Sequence, residues 1–199
     1  VAYSILPVVA DVVADSPAAA VGIKPGDRVK TVQFRVDASE KEKVAEVFGH
    51  SAFTLYRLDP DTKQVTTIGT FDGCSNIIDI ALDKDSNLFG ATVDGLYSID
   101  KLTAKCELIS SGSFPNSLSF IPAGTLDPNE ESLVGYNGSN YVRIDTTTGA
   151  VSNVGSLAET NLYSSGDIVS VKDGNTYLTV KGGPCDTDCL VEVNPVLDS

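Results

Sequence analysis

The feature that most constrains this fold is a segment that recurs along the chain after residue 52. The stretches 55–71, 96–114 and 141–157 align with one another, and 190–199 begins a fourth copy that breaks off partway. Each copy opens with alternating apolar residues, which predict a half-buried strand. The strand ends at an Asp or Asn that predicts a turn into a second strand. These residues are Asp59, Asp100, Asp145 and Asn194.

The segments between the copies predict two further strands per repeat. Residues 76–95, 117–140 and 166–183 each read as strand, turn, strand, turn, leading into the next copy. Successive copies start 41, 45 and 49 residues apart, which is the period of a four-stranded propeller blade. The repeats resemble the blades of secreted or lipoprotein-type bacterial β-propellers, in which an L-Y-x-I-D-P-x-T-G sequence recurs.

The number of repeats limits what this resemblance implies. The chain holds two complete units, 76–114 and 117–157, with partial units at 53–71 and about 161–199. Closed propellers typically have 4–8 blades. The sequence therefore predicts an incomplete or open propeller of antiparallel repeats, about three blades, over 51–199. Either the chain is a piece of a longer propeller, as the non-initiator Val1 also indicates, or the repeats pack openly or pair with another chain.

Residues 7–36 have a different character. In "PVVADVVADSPAAAVGIKPGDRVKTVQ", Ser16 can cap a short helix that begins at Pro17, and Gly22 can end it. Pro25-Gly26 then predicts a turn into a strand. The pattern resembles the PDZ domains of bacterial site-2-type proteases, and we extend the resemblance over residues 7–48. It implies a partial PDZ-like α+β segment, here placed at 1–50.

The stretch "DASEKEKVAEVFGH", 37–50, predicts a short amphipathic helix with a capping box. In a PDZ domain such a helix lines a groove that binds an extended peptide. The simpler alternative is that its apolar stripe packs on the core. A complete PDZ domain would also need the strands of 53–71, which we assign instead to the first repeat. The candidate groove residues are Val8, Val9, Val12, Val44, Val47 and Phe48.

Four cysteines bear on the compartment. Cys185 and Cys189 have three residues between them, which is not the spacing of a CxxC redox or zinc pair. We favour disulfides joining Cys185 to Cys189 and Cys74 to Cys106, although three connectivities are possible and reduced thiols remain the alternative. Disulfides would imply an extracytoplasmic protein, whether periplasmic, cell-surface or secreted.

Composition argues against several function classes. The net charge of −13 opposes binding to nucleic-acid phosphates. The longest apolar stretch, 1–15, contains Pro7 and Asp11 and is too short to span a bilayer. A site-2-type protease needs a His-Glu-x-x-His motif, and the sequence has one histidine, His50. We expect no enzyme activity, no cofactor and no metal site.

The sequence therefore predicts a non-catalytic extracytoplasmic binding or scaffold protein. It would engage a peptide, protein or glycan through β-edges or loops. Two alternatives remain. One is a regulatory, PDZ-containing fragment of a membrane protease, and the other is a structural surface protein that self-associates through open β edges.

Overall fold

Antiparallel sheets of consecutive strands make up the described part of this protein. The computed structural model describes residues 46–157, 161–171 and 175–195, and over those ranges the fold is all-β, without a helix. This confirms the prediction of a mainly β protein. The four sheets belong to one compact unit.

The sheets follow one another in chain order, and two of them are complete four-stranded meanders. Sheet 1 contains β1 (Val47–His50), β2 (Thr54–Leu58) and β3 (Val65–Thr70). Sheet 2 contains β4 (Asp79–Leu82), β5 (Leu88–Ala91), β6 (Gly95–Ile99) and β7 (Cys106–Ser111). Sheet 3 contains β8 (Leu118–Ile121), β9 (Ser132–Asn137), β10 (Asn140–Ile144) and β11 (Val151–Ser156). Sheet 4 contains β12 (Leu162–Ser170), β13 (Thr176–Gly182) and β14 (Cys185–Val193).

The repeated aspartates each build the same turn. The Asp59 carboxylate accepts hydrogen bonds from the backbone N–H groups of Asp61 and Thr62, at 2.9 and 2.8 Å. Asp100 and Asp145 make the same pair of bonds to the residues two and three positions further on. These backbone donors lower the pKa of all three carboxyl groups. The aspartate of the repeat is therefore a turn-forming residue that holds two strands of each hairpin together.

Strand β1 is a repeat strand that sequence reasoning assigned to a helix. Gly49 lies opposite Tyr56 just as Gly90 lies opposite Tyr97, so "VFGH" occupies the position of "LFGA" in sheet 2. The helix predicted over 37–50 is therefore wrong over 47–50, which form a strand. Residues 37–45 of that prediction lie outside the described ranges. Val47 and Phe48 favour a strand, and pairing with β2 decides the outcome. The division into 1–50 and 51–199 stays a prediction, although β1 shares a sheet with residues after 51.

Successive sheets pack face to face. We call the side of a sheet that faces the next sheet in chain order its front face, and the opposite side its rear face. In sheet 4 the rear face is the side that packs on sheet 3, and the front face is the opposite side. Three apolar clusters fill the three contacts between sheets. Leu55 on the front of sheet 1 packs with Leu88 and Ile99 on the rear of sheet 2. The core of this unit is thus a series of front-to-rear contacts.

The same alternation continues along the unit. Leu96 on the front of sheet 2 packs with Leu118 and Leu133 from sheet 3. Tyr141 on the front of sheet 3 packs with Leu178 from sheet 4. Because side chains alternate between the faces of a strand, one register supplies both faces with apolar residues. The first strands of sheets 2, 3 and 4 (β4, β8 and β12) lie next to one another in that order.

Candidate functional site

A groove lies beside the turn that joins β4 to β5 and the hairpin formed by β10 and β11. Its volume is about 640 Å³, within the usual range of small-ligand and peptide sites. Five carboxylates and two cationic side chains line it, so its formal charge is negative. We call it the acidic groove, and its charged residues are Asp83, Lys84, Asp85, Glu130, Glu131, Arg143 and Asp145.

Apolar side chains line part of the acidic groove. Phe120, which is partly buried, and Val151, which is 47% exposed, supply its accessible apolar surface, whereas the lining residues Leu133 and Ile144 are buried in the core. The Phe120 ring contacts Phe89 of sheet 2, with ring centroids 5.7 Å apart. Fixed apolar side chains bordered by charges can hold the hydrocarbon part of a Lys or Arg side chain while carboxylates face its cation.

Hydrogen bonds fix the groove's two sides against each other. The backbone N–H of Lys84 donates to the Glu131 carboxylate at 2.7 Å, joining the β4–β5 turn to the segment before β9. The Asp83 carboxylate accepts hydrogen bonds from the backbone N–H groups of Asp85 and Asn87, which shapes the turn between β4 and β5. The acidic groove is therefore preorganised, which lowers the entropic cost of binding.

One carboxylate of the groove, that of Asp145, is stabilised in its charged form by neighbouring backbone groups. Backbone hydrogen bonds from Thr148 and Thr147 hold the pKa of Asp145 below its usual value. Arg143 forms an ion pair with Asp127 at 3.4 Å, so part of its positive charge is already compensated. The groove is suited to attract cationic groups and repel anions.

The predicted groove residues are only partly described. Val8, Val9, Val12 and Val44 lie outside the described ranges. Val47 and Phe48 are neighbours on β1 and point to opposite faces of sheet 1. Phe48 packs into the cluster between sheets 1 and 2, whereas Val47 lies on the rear face. The peptide groove at these residues stays a prediction.

Sequence reasoning missed the acidic groove. It predicted a turn between the two strands of 76–95, which is correct, and gave no role to the carboxylates of 127–131. The available signal was the density of Asp and Glu in these two stretches. Only the packing of sheet 2 on sheet 3 brings these stretches together. In the sequence alone, the same density of carboxylates is typical of an ordinary charged surface.

Both predicted disulfides are present. Cys74 pairs with Cys106, with Cα atoms 5.7 Å apart, and Cys185 pairs with Cys189, with Cα atoms 5.9 Å apart. The first joins the segment before β4 to the start of β7, and the second joins two residues of β14. Because disulfides persist in oxidising compartments, they indicate an extracytoplasmic location.

Asp79 is a buried carboxyl group at the start of β4. One of its oxygens accepts a hydrogen bond from the backbone N–H of Leu118, in sheet 3, at 2.5 Å. The other oxygen accepts one from the backbone N–H of Ile80 at 2.8 Å. Burial nevertheless raises the pKa of Asp79 to about 7, and the charge of Asp167 adds to the increase. Asp79 thus connects sheets 2 and 3 through a hydrogen bond and lies apart from the acidic groove's lining.

This raised pKa predicts a pH-dependent stability. The folded state holds the Asp79 proton more tightly than the unfolded state, so its stabilising contribution is fully present below about pH 4. It is lost as the pH rises through about 7. Asp79→Asn mimics the neutral acid and should flatten this slope, which is worth at most roughly 4 kcal/mol. Urea unfolding from pH 4 to 8 measures it.

The control for that experiment is Asp167→Asn, which removes only the smaller electrostatic contribution. It should retain most of the slope between pH 4 and pH 8. An unchanged slope in Asp79→Asn would show that other groups cause the pH dependence.

Across the described ranges, no helix is long and apolar enough to cross a membrane. Over the same residues, no group of three or more His, Cys, Asp or Glu side chains is arranged to hold a metal ion.

Comparison with known proteins gives limited similarity. No family model matches the sequence, and no curated protein matches it. Among solved structures, the chain is similar to the extracellular domain of the putative one component system BT4673 from B. thetaiotaomicron, with 19% identity and a TM-score of 0.42. A second structure, described as the extracellular domain of the putative hybrid two component system BT4673, has the same identity and TM-score.

The similarity covers a small part of those proteins. It spans 74% and 77% of this chain but 21% of each BT4673 chain. A protein of unknown function from Bacteroides caccae has 13% identity and a TM-score of 0.37, over 75% of this chain and 57% of that chain. This chain therefore spans about one fifth of the BT4673 structures that it matches.

Proposed function

We propose that this chain is a non-catalytic extracytoplasmic binding domain and that its acidic groove engages a cationic segment of a peptide or protein. The observation that carries the proposal is the combination of apolar lining and carboxylate border in one preorganised groove. A segment rich in Lys or Arg matches both features, because its alkyl stems are apolar and its ends are positive. The disulfides support the extracytoplasmic setting.

The arrangement of the sheets supports a propeller-like architecture for this binding domain. Four sheets of the same strand order follow one another, with their first strands adjacent where these are described. Sheets 1 and 4 each contribute three strands among the residues described. We propose that the repeats form an open, blade-like array whose turns carry the binding surface.

Charge on the groove should control affinity. We expect Glu130→Gln to weaken binding of a Lys/Arg-rich peptide by about 1.4- to fivefold, because one border charge is worth roughly 0.2–1 kcal/mol. Affinity should also fall as salt rises, since exposed charges are screened. Isothermal titration calorimetry of the full chain at two ionic strengths measures both effects.

Asp61→Asn is the matched control, because it makes the same charge change in the β2–β3 turn of sheet 1, away from the groove. It should leave the affinity nearly unchanged. Equal weakening by both variants would mean that only the overall charge attracts the peptide. Equal affinity for a Glu-rich peptide would contradict the proposal.

A further inference from the structure

The front face of sheet 4 exposes apolar side chains, one of them at a position that is buried in each of the other sheets. Leu190 occupies the repeat position of Leu55, Leu96 and Tyr141, and it is 67% exposed while those three residues are each 0% exposed. Val169, at the position of Ala81, is 51% exposed, and Tyr163 on the same face is 47% exposed. The apolar character of the repeat thus persists on a face that no described sheet covers.

The rear face of sheet 1 shows the complementary pattern. Val47, Leu58 and Val65 lie opposite one another and form a row across all three strands. Val47 is 38% exposed, whereas the equivalent Leu88 and Leu133 are 2% and 1% exposed. Val65 at the other end of the row is 66% exposed. The counterparts of Val65 are Cys106, which is buried, and Val151, which is 47% exposed, so the difference in exposure is clearest at Val47.

The front face of sheet 4 and the rear face of sheet 1 are equivalent to faces that pack against each other inside the unit. Each contact between described sheets joins a front face to a rear face. In stacked repeats, an end that remains in solvent normally carries a polar outer face. Here the first and last described sheets keep exposed apolar side chains on these faces, and exposed apolar surface favours contact with another surface.

We propose that sheet 4 of one copy of this chain packs its front face on the rear face of sheet 1 of a second copy. This contact between two molecules has the same front-to-rear arrangement as the contacts between sheets within one molecule. Because the two surfaces differ, the interface is heterologous, so copies add head to tail and form a ring if the rotation closes. This surface is separate from the acidic groove and does not depend on it.

The oligomeric state tests this proposal. Analytical ultracentrifugation of the full chain up to about 100 μM should show concentration-dependent association. Leu190→Lys and Val65→Lys should each weaken it roughly tenfold or more, because each places a charge in an apolar contact. Leu102→Lys is the control, since Leu102 is 77% exposed in the β6–β7 turn and lies on neither face. It should associate like the unchanged chain.

Mixing the two variants distinguishes a heterologous contact from a symmetric one. Leu190→Lys retains an intact rear face on sheet 1, and Val65→Lys retains an intact front face on sheet 4. The mixture should therefore form 1:1 dimers and nothing larger. Assembly of Val65→Lys alone would indicate a symmetric sheet 4 contact and overturn the proposal. A chain that stays monomeric would also overturn it, leaving residues 1–45 or a different protein as the occupant.

Discussion

Replacing Gly135 with alanine is expected to destabilise the protein by about 3 kcal/mol or to prevent folding. A Cβ atom at Gly135 would lie 2.1 Å from the Ser117 carbonyl oxygen and 2.7 Å from the Pro115 Cβ. Both obstacles belong to the segment leading into β8, and neither is the flexible end of a long side chain. Urea unfolding followed by circular dichroism gives the change in unfolding free energy.

The repeat supplies two controls at the same position. At Gly49 a Cβ would meet no atom within 4 Å, so Gly49→Ala should be neutral or slightly stabilising. At Gly90 the nearest atom is the Ile99 Cδ1, at 2.6 Å, which can move more easily than backbone. Gly90→Ala should therefore have an intermediate cost. A result in which Gly49→Ala costs as much as Gly135→Ala would contradict this packing.

Removing the Cys74–Cys106 disulfide should have a comparably large effect. The bridge joins residues 32 positions apart, and a loop of that length corresponds to about 4 kcal/mol of lost chain entropy in the unfolded state. Replacing both cysteines with alanine should lower the unfolding free energy by roughly that amount. Urea unfolding of the double variant measures the loss.

The second disulfide is the internal comparison. Cys185 and Cys189 are 4 positions apart, so the same reasoning gives about 2 kcal/mol for the corresponding double alanine variant. A larger loss at Cys185–Cys189 than at Cys74–Cys106 would show that loop length does not determine these contributions. Mass spectrometry under non-reducing conditions confirms which bridges each variant retains.

The repeat was predictable because local chemistry determines it. Asp59, Asp100 and Asp145 each close a turn within a few residues, and alternation in the flanking strands places apolar side chains on alternating faces. These signals are contained in short stretches of sequence. The turns of this region were therefore predicted correctly.

Strand β1 shows why the repeat was incompletely predicted. In "VFGH" the residues Val47 and Phe48 fit an amphipathic helix as well as a strand when read with the preceding "KVAE". The deciding interaction is pairing with Leu58 and Arg57, about ten residues later in the chain. A short apolar run carries no periodicity that separates these outcomes.

The acidic groove depends on contacts of longer range. The Lys84 backbone meets Glu131 across 47 positions in the sequence. Composition shows that the chain is acidic, but only the packing of sheet 2 on sheet 3 gathers carboxylates beside Phe120. Sequence alone therefore indicated a binding protein without locating this surface.

The most direct test of the proposed function is to map a bound cationic peptide by NMR on the ¹⁵N-labelled full chain. The groove proposal predicts saturable shift changes in the amides of 83–85, 130–133 and 143–147. Amides of β1 and of the β2–β3 turn should stay unchanged. Changes centred on Val47 and Phe48, or no saturable change anywhere, would contradict the assignment of binding to the acidic groove.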